Sequence, residues 1–261
     1  MRTLLLPAAL LPVALLFAAC EGITAPRDPV MLEGGFVVLS VGGDHSCGVT
    51  GEGAMYCWGE NRSGQLGTGG FSPASAPVRA STTQQFTRLA SGLEHSCGLT
   101  ADDRLFCWGA NWRGQLGNAS RINQAVPVEI AEHERFTVVS TGWFHTCALT
   151  QGGEAYCWGA NGQAQLGAGA GDDVLVPQRV STGLRFASIS AGGFHTCAVD
   201  VNGRVHCWGA NSFGQLGVGS TTDQPVPQLV TNGAGFSGVA AGYTHTCGLR
   251  PDGSVACWGR V

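Results

Sequence analysis

The sequence predicts an all-β repeat fold, a β-propeller or a solenoid, and three observations carry that reading. Histidines stand at His45, His95, His145, His195 and His245, so one unit recurs every 50 residues. Each copy reads Gly-x-x-His-(Ser/Thr)-Cys, nine further residues, then Cys-Trp-Gly; the first four continue into Asn-x-x-x-Gln-Leu-Gly, as in Asn161 and Gln165-Leu166-Gly167. With 41 glycines, 44% hydrophobic and 12% charged residues, the chain suits a turn-rich array in which each unit buries its face on the next.

Ahead of the repeats, residues 1–19 read as a secretory signal: Arg2, an apolar run from Leu4 to Phe17, then Ala18-Ala19. The run is too short and wrongly flanked for a spanning helix. Leu16-Phe17-Ala18-Ala19-Cys20 further resembles a bacterial lipobox, with Phe17 where a small aliphatic residue is usual. That resemblance implies that Cys20 is diacylated after export and becomes the N-terminus, held on a membrane by about 0.8 kcal/mol per buried CH₂. Glu21 through Gly35 reads as a linker, and Gram-negative sorting rules would send a lipoprotein with Glu21 at this place to the outer membrane. The expected divisions are therefore 1–19 signal, 20–35 anchor and linker, and 36–261 repeats.

Within each repeat the hairpin is legible. Leu249-Arg250 and Ser254-Val255 flank Pro251-Asp252-Gly253, a three-residue loop whose last position needs the left-handed region. Gly occupies that place at Gly53, Gly153, Gly203 and Gly253, and Asp103 stands in for it in the second repeat. Counting outward pairs Arg250 with Ser254, Leu249 with Val255, and Cys247 with Cys257 at a non-hydrogen-bonded position, close enough for a disulfide. Ten of the 11 cysteines form such Cys-x9-Cys pairs and the remaining one is Cys20, which agrees with export. The expected bonds are Cys47–Cys57, Cys97–Cys107, Cys147–Cys157, Cys197–Cys207 and Cys247–Cys257, each contributing about 3 kcal/mol in the chain-entropy model.

Alternation places His145, Cys147 and Leu149 on one face with Ala155 and Cys157, and Ala148 opposite Tyr156 on the other. A preceding strand such as 136–140 and a following one such as 126–130 complete about four strands per unit; Pro127 assigns the latter to an edge. The fifth copy runs to Val261 without a fourth strand, while Asp28-Pro29-Val30-Met31-Leu32 resembles Gln224-Pro225-Val226-Pro227-Gln228-Leu229. The N-terminal segment is thus expected to supply the missing outer strand and close a ring.

These Gly-x-x-His, Trp-Gly-x-Asn and Gly-Gln-Leu-Gly motifs, in five in-phase copies over residues 36–261, resemble the repeats of the regulator of chromosome condensation family. The resemblance implies a β-propeller, in that family most familiarly seven blades of four strands. The fold class is accordingly all-β, a β-propeller built from five repeats of 50 residues. Five repeats leave a five-bladed ring, an incomplete arc or an assembly of two chains, the closed ring being preferred. The best-known family member is a guanine nucleotide exchange factor for a nuclear GTPase that docks on chromatin. An exported, disulfide-bearing, acidic protein meets neither partner, so a GTPase is disfavoured. Exported bacterial propellers of similar repeat pattern include a protein inhibitor of β-lactamases, so the scaffold can bind partners outside the cytoplasm; fold alone decides nothing further.

Formal net charge is −4 and the 14 basic residues, all Arg, are scattered, which leaves no phosphate-neutralising stripe for nucleic acid. Five His-Cys-Cys trios could each be imagined around zinc. A residue repeated in every unit serves the unit's geometry, however, so the histidines are expected to hydrogen-bond a neighbouring turn and the cysteines to be oxidised. The Trp58, Trp108, Trp158, Trp208 and Trp258 series reads as inter-blade core. No metal, cofactor or catalytic residue is expected, and no phosphate loop, nucleophile elbow or His-Glu-x-x-His motif occurs. Gly171-Asp172-Asp173 reads as a solvated turn, with calcium as the alternative.

Function is sought where the copies differ. The residues before each frame histidine and those after Trp-Gly-x-Asn single out Asp44, Glu94, Trp112, Trp143, Phe144, Phe194, Phe213 and Tyr243 as a partner-binding set. The same rings could instead merely cover the adjacent unit. The reading is a non-enzymatic, envelope-anchored scaffold that binds a protein or glycan through its loop face. An inhibitor or regulator of an envelope enzyme is the alternative; an exchange factor and an envelope hydrolase or metal-dependent enzyme rank below it.

Overall fold

The computed structural model describes residues 35–260, and over that range it holds strands and turns and no helix. Five antiparallel meanders, one per repeat, form five blades. Blade 1 is β1 (Phe36–Val41), β2 (His45–Thr50), β3 (Met55–Gly59) and β4 (Ala74–Arg79). Blade 2 is β5 (Phe86–Ser91), β6 (His95–Thr100), β7 (Leu105–Gly109) and β8 (Gln124–Ile130). Blade 3 is β9 (Phe136–Thr141), β10 (His145–Thr150), β11 (Ala155–Gly159) and β12 (Val174–Arg179). Blade 4 is β13 (Phe186–Ala191), β14 (His195–Asp200), β15 (Arg204–Gly209) and β16 (Gln224–Ala234). Among the described residues blade 5 has three strands, β17 (Gly238–Ala241), β18 (His245–Leu249) and β19 (Val255–Gly259).

The hairpin turns set the register as their residues require. Gly53, Gly153, Gly203 and Gly253 all adopt positive φ, and Asp103 adopts 61° in the same place. Leu249 then pairs with Val255 and Cys247 with Cys257, and the equivalent cysteines pair in every blade. All five expected disulfides are present, with Cα atoms 4.1 Å apart. Pro77, Pro127, Pro177, Pro225 and Pro227 lie on the outer strands β4, β8, β12 and β16, where a missing donor costs no ladder bond.

The core lies between blades. One face of blade 2, with Cys97, Leu99, Leu105 and Cys107, packs on the opposite face of blade 3, with Ala148 and Trp158. Blade 3 repeats this with Cys147, Leu149, Ala155 and Cys157 against Ala198 and Trp208 of blade 4. Small residues at 148 and 198 let the sheets approach, and the tryptophans fill the junctions, fully buried in blades 2 to 4. The innermost strands β1, β5, β9, β13 and β17 touch in sequence.

Among the described residues the extensive contacts between inner strands run from each blade to the next in sequence. The expected signal segment 1–19, the expected anchor Cys20 and the expected closing strand 28–32 lie outside the described residues.

Candidate functional site

The repeated motif residues form a relay at each blade junction. His45, His95, His145 and His195 hydrogen-bond through Nε2 to the hydroxyls of Ser96, Thr146, Thr196 and Thr246 in the following blade, at 2.7–2.9 Å. Those hydroxyls donate to the backbone carbonyls of Gln65, Gln115, Gln165 and Gln215. A hydroxyl has one proton, so with that proton on the glutamine carbonyl it must accept from the histidine, which fixes the Nε2–H tautomer. Trp108, Trp158 and Trp208 send Nε1–H to the Gln65, Gln115 and Gln165 carbonyls as well. The expected partner of the histidines was a neighbouring turn; the structure gives them the next blade instead, because the sheets approach face to face.

Burial drives the imidazoles neutral. It pushes His95 and His145 down to about 3, and His45 and His195 to about 4. Nδ1 of each has no hydrogen-bond partner, so a second proton would be buried unsatisfied. The Gly of Gly-x-x-His is required by space: a Cβ at Gly42, Gly92 or Gly142 would strike both its own histidine ring and the glycine carbonyl of the next blade. These groups recur at every junction as frame, and the cysteines among them are disulfide-bonded. Among the described residues, no three His, Cys, Asp or Glu side chains converge as a metal site would need.

The variable positions form a different surface. The turns before the frame histidines gather around a central hollow of about 330 Å³ lined by Gly43, Leu93, Trp143, Gly193 and Tyr243. On one side of it Trp143 and Tyr243 stack with ring centroids 4.1 Å apart and planes at 12°. Phe194 lies 5.8 Å from Trp143, 5.9 Å from Tyr243 and 6.0 Å from Phe144. Tyr243 crosses blade 4 to reach Trp143 because position 193 is glycine; a Cβ there would stand 2.5 Å from its Cδ2. A second hollow of about 200 Å³ between the tops of blades 4 and 5 continues the cluster, lined by Phe194, Tyr243 and Phe213, with Arg260 over the Phe213 ring at 5.2 Å.

Five of the eight candidates thus share one region: Trp143, Phe144, Phe194, Tyr243 and Phe213. Glu94 is half-buried and accepts from Ser63 Oγ at 2.8 Å, which ties it to blade 1. Asp44 is exposed on blade 1 and Trp112 on blade 2. The loop at Asp173 is held by Arg121 at 3.0 Å and Arg113 at 3.5 Å, so its carboxylate already has cationic partners. Leu93, Gly193 and Arg260 complete the region and were not singled out from the sequence; the glycine's role, an empty place for a neighbour's ring, has no signal in the chain itself.

The family model described as the RCC1-like domain matches residues 18–261. Human WBSCR16 is similar in structure, at 26% identity and a TM-score of 0.77 over 86% of this chain and 59% of that one. Prp20p of Saccharomyces cerevisiae, reported with its binding to Gsp1p and histones, shows the same fold at 24% identity and TM-score 0.76, over 86% and 58%. The ectodomain of the receptor kinase CR4 from Physcomitrella patens follows at 27% and 0.60, over 86% and 52%. The chain therefore spans less than two thirds of each of these structures. No curated protein sequence matches.

Proposed function

The chain belongs to the RCC1-like domain family, and from that premise we propose that it is an exported, non-catalytic β-propeller scaffold that holds a macromolecular partner on its loop face. The observation that carries the reading is the aromatic cluster: Trp143, Phe144, Phe194 and Tyr243, from three blades, meet at one end of the array instead of serving the repeated frame. Large aromatic rings with an adjoining apolar hollow are what a binding hot spot offers. Five disulfides support a location outside the reducing cytoplasm. Anchoring through Cys20 at the bacterial envelope, with a protein or glycan of that compartment as partner, belongs to the same proposal.

The test is capture from envelope extract by the chain without its first 20 residues, beside a Trp143→Ala, Phe144→Ala double variant with unchanged disulfides. A component held by the parent and lost by the folded variant is expected. Equal retention by both would remove the aromatic cluster from the binding face.

A further inference from the structure

The five blades place equivalent residues at equivalent points around the central hollow. The carbonyl of the residue before each frame histidine, Asp44, Glu94, Phe144, Phe194 or Thr244, accepts at 2.8–2.9 Å from the backbone N–H of the first residue after Trp-Gly in its own blade. Five side chains of different chemistry therefore leave one shared backbone position, in chain order from blade to blade. Phe144 and Phe194, neighbours in that order, have ring centroids 6.0 Å apart. The order divides the rim into an acidic arc on blades 1 and 2 and an aromatic arc on blades 3 and 4, which Trp143 and Tyr243 from the lining of the hollow extend.

The acidic arc adds a second observation. Neither Asp44 nor Glu94 forms an ion pair among the described residues, whereas Glu60, Asp102, Glu129, Glu154, Asp173 and Asp200 each have an Arg partner. Ser63 Oγ donates to Glu94 Oε2 at 2.8 Å, which positions the carboxylate and leaves its charge in place, because a hydroxyl is neutral. Asp44 is exposed. A neutral or acidic surface laid on this arc would strip water from two anions without replacing it, so a partner seated on the rim must bring a cation to that side.

Resting on the loop-face reading above, we propose that the hollow receives a protruding loop of a protein partner, with Lys or Arg against Asp44 and Glu94 and an aliphatic or aromatic side chain against Phe144, Phe194 and Tyr243. Both demands are met around one hollow of about 330 Å³, so a single turn of chain entering it carries both side chains. A neutral glycan supplies the stacking contacts and no cation, and a nucleic acid is repelled by the acidic arc. The rings hold the complex, while the exposed ion pairs select the partner and speed its encounter.

Selection from a phage-displayed library of disulfide-closed random heptapeptides tests this, with the purified chain, its disulfides formed, as bait. The parent is expected to select loops that hold a basic and an apolar residue, with Lys and Arg enriched at least about fivefold over Asp and Glu relative to the starting library. Asp44→Asn with Glu94→Gln keeps the shape of the arc and an acceptor for Ser63, and is expected to lose the basic preference while still selecting apolar loops. Asp44→Lys, a single change at an exposed site, is expected to lower the basic enrichment as well. A selected loop made as a synthetic peptide is expected to bind the parent about fivefold more weakly when sodium chloride rises from about 0.05 to about 0.5 M. Equal selection of basic and acidic loops by the parent, or a basic preference that survives both changes to the acidic arc, would overturn the proposal; the loop-face reading would still hold if Trp143→Ala with Phe144→Ala abolished apolar selection. Were that aromatic variant to select as the parent does, the loop-face reading and the proposal would fall together. A parent that selects no loop would overturn the proposal and point to a partner other than protein.

Discussion

Trp143 and Tyr243 belong to blades 3 and 5, yet their rings stack at 4.1 Å across the top of blade 4. The stack exists because Gly193 between them has no side chain. A double-mutant cycle with Trp143→Ala and Tyr243→Ala is expected to give a coupling of about 1 kcal/mol in chemical denaturation, the ordinary worth of an aromatic pair beyond its buried area. Gly193→Ala is expected to displace the tyrosine ring and change Trp143 fluorescence; additive single effects and an unchanged spectrum would count against the stack.

The junction relay makes equivalent histidines unequal. His145→Ala leaves the Thr196 hydroxyl without its buried donor and is expected to cost about 2 kcal/mol. His245→Ala removes a half-buried ring with no hydroxyl partner among the described residues and is expected to change stability by less than about 0.5 kcal/mol. Urea unfolding at low protein concentration compares the two, and equal losses would mean that the relay contributes nothing of its own.

Stability should depend on pH in the window set by these buried rings. His45, His95, His145 and His195 have folded pKa values of about 3 to 4, below the unfolded value of 6.5. The unfolded chain therefore binds more protons between those limits, so stability is fully present above pH 6.5 and falls as pH drops toward 4. Each histidine contributes a slope of up to about 1.4 kcal/mol per pH unit there. Melting followed from pH 7.5 to 4.5 checks the direction, and His145→Gln is expected to flatten the curve; a flat parent curve would contradict the neutral relay.

The five disulfides differ in access. Both cysteines of the pairs in blades 1 to 4 are fully buried, whereas Cys257 of blade 5 is exposed. Under mild thiol reductant in the native state, Cys247–Cys257 is expected to open first, because exchange needs a thiolate to reach a sulfur. Mass spectrometry after alkylation identifies the order, and early labelling at Cys147 or Cys157 would run against it.

Much of the blade was legible because it is local. Three-residue turns, period-2 alternation and the Cys-x9-Cys spacing act within about twenty residues, so the register of Cys147 opposite Cys157 followed from counting. The edge strands followed from the missing donor of their prolines, and the buried Trp158 from its place in the frame that every copy repeats. The histidine's partner did not, since Thr196 lies 51 residues from His145 and only the stacking of sheets brings them together. Glu94 shows the converse: its variable position suggested a free acidic contact, and the neighbouring blade's Ser63 takes it up.

By itself, then, the sequence determined the repeat, the strands, the disulfide partners and the list of positions where one blade differs from another, because hydrophobic period, turn chemistry and cysteine spacing are short-range. Only the tertiary structure decided which variable residues meet, that Tyr243 reaches over Gly193 to Trp143, and that Leu39 and Leu249 are exposed where most of their counterparts in the inner blades are covered. Those relations depend on the angle and spacing at which one sheet stacks on the next, a sum over side chains in separate repeats that no single 50-residue unit contains.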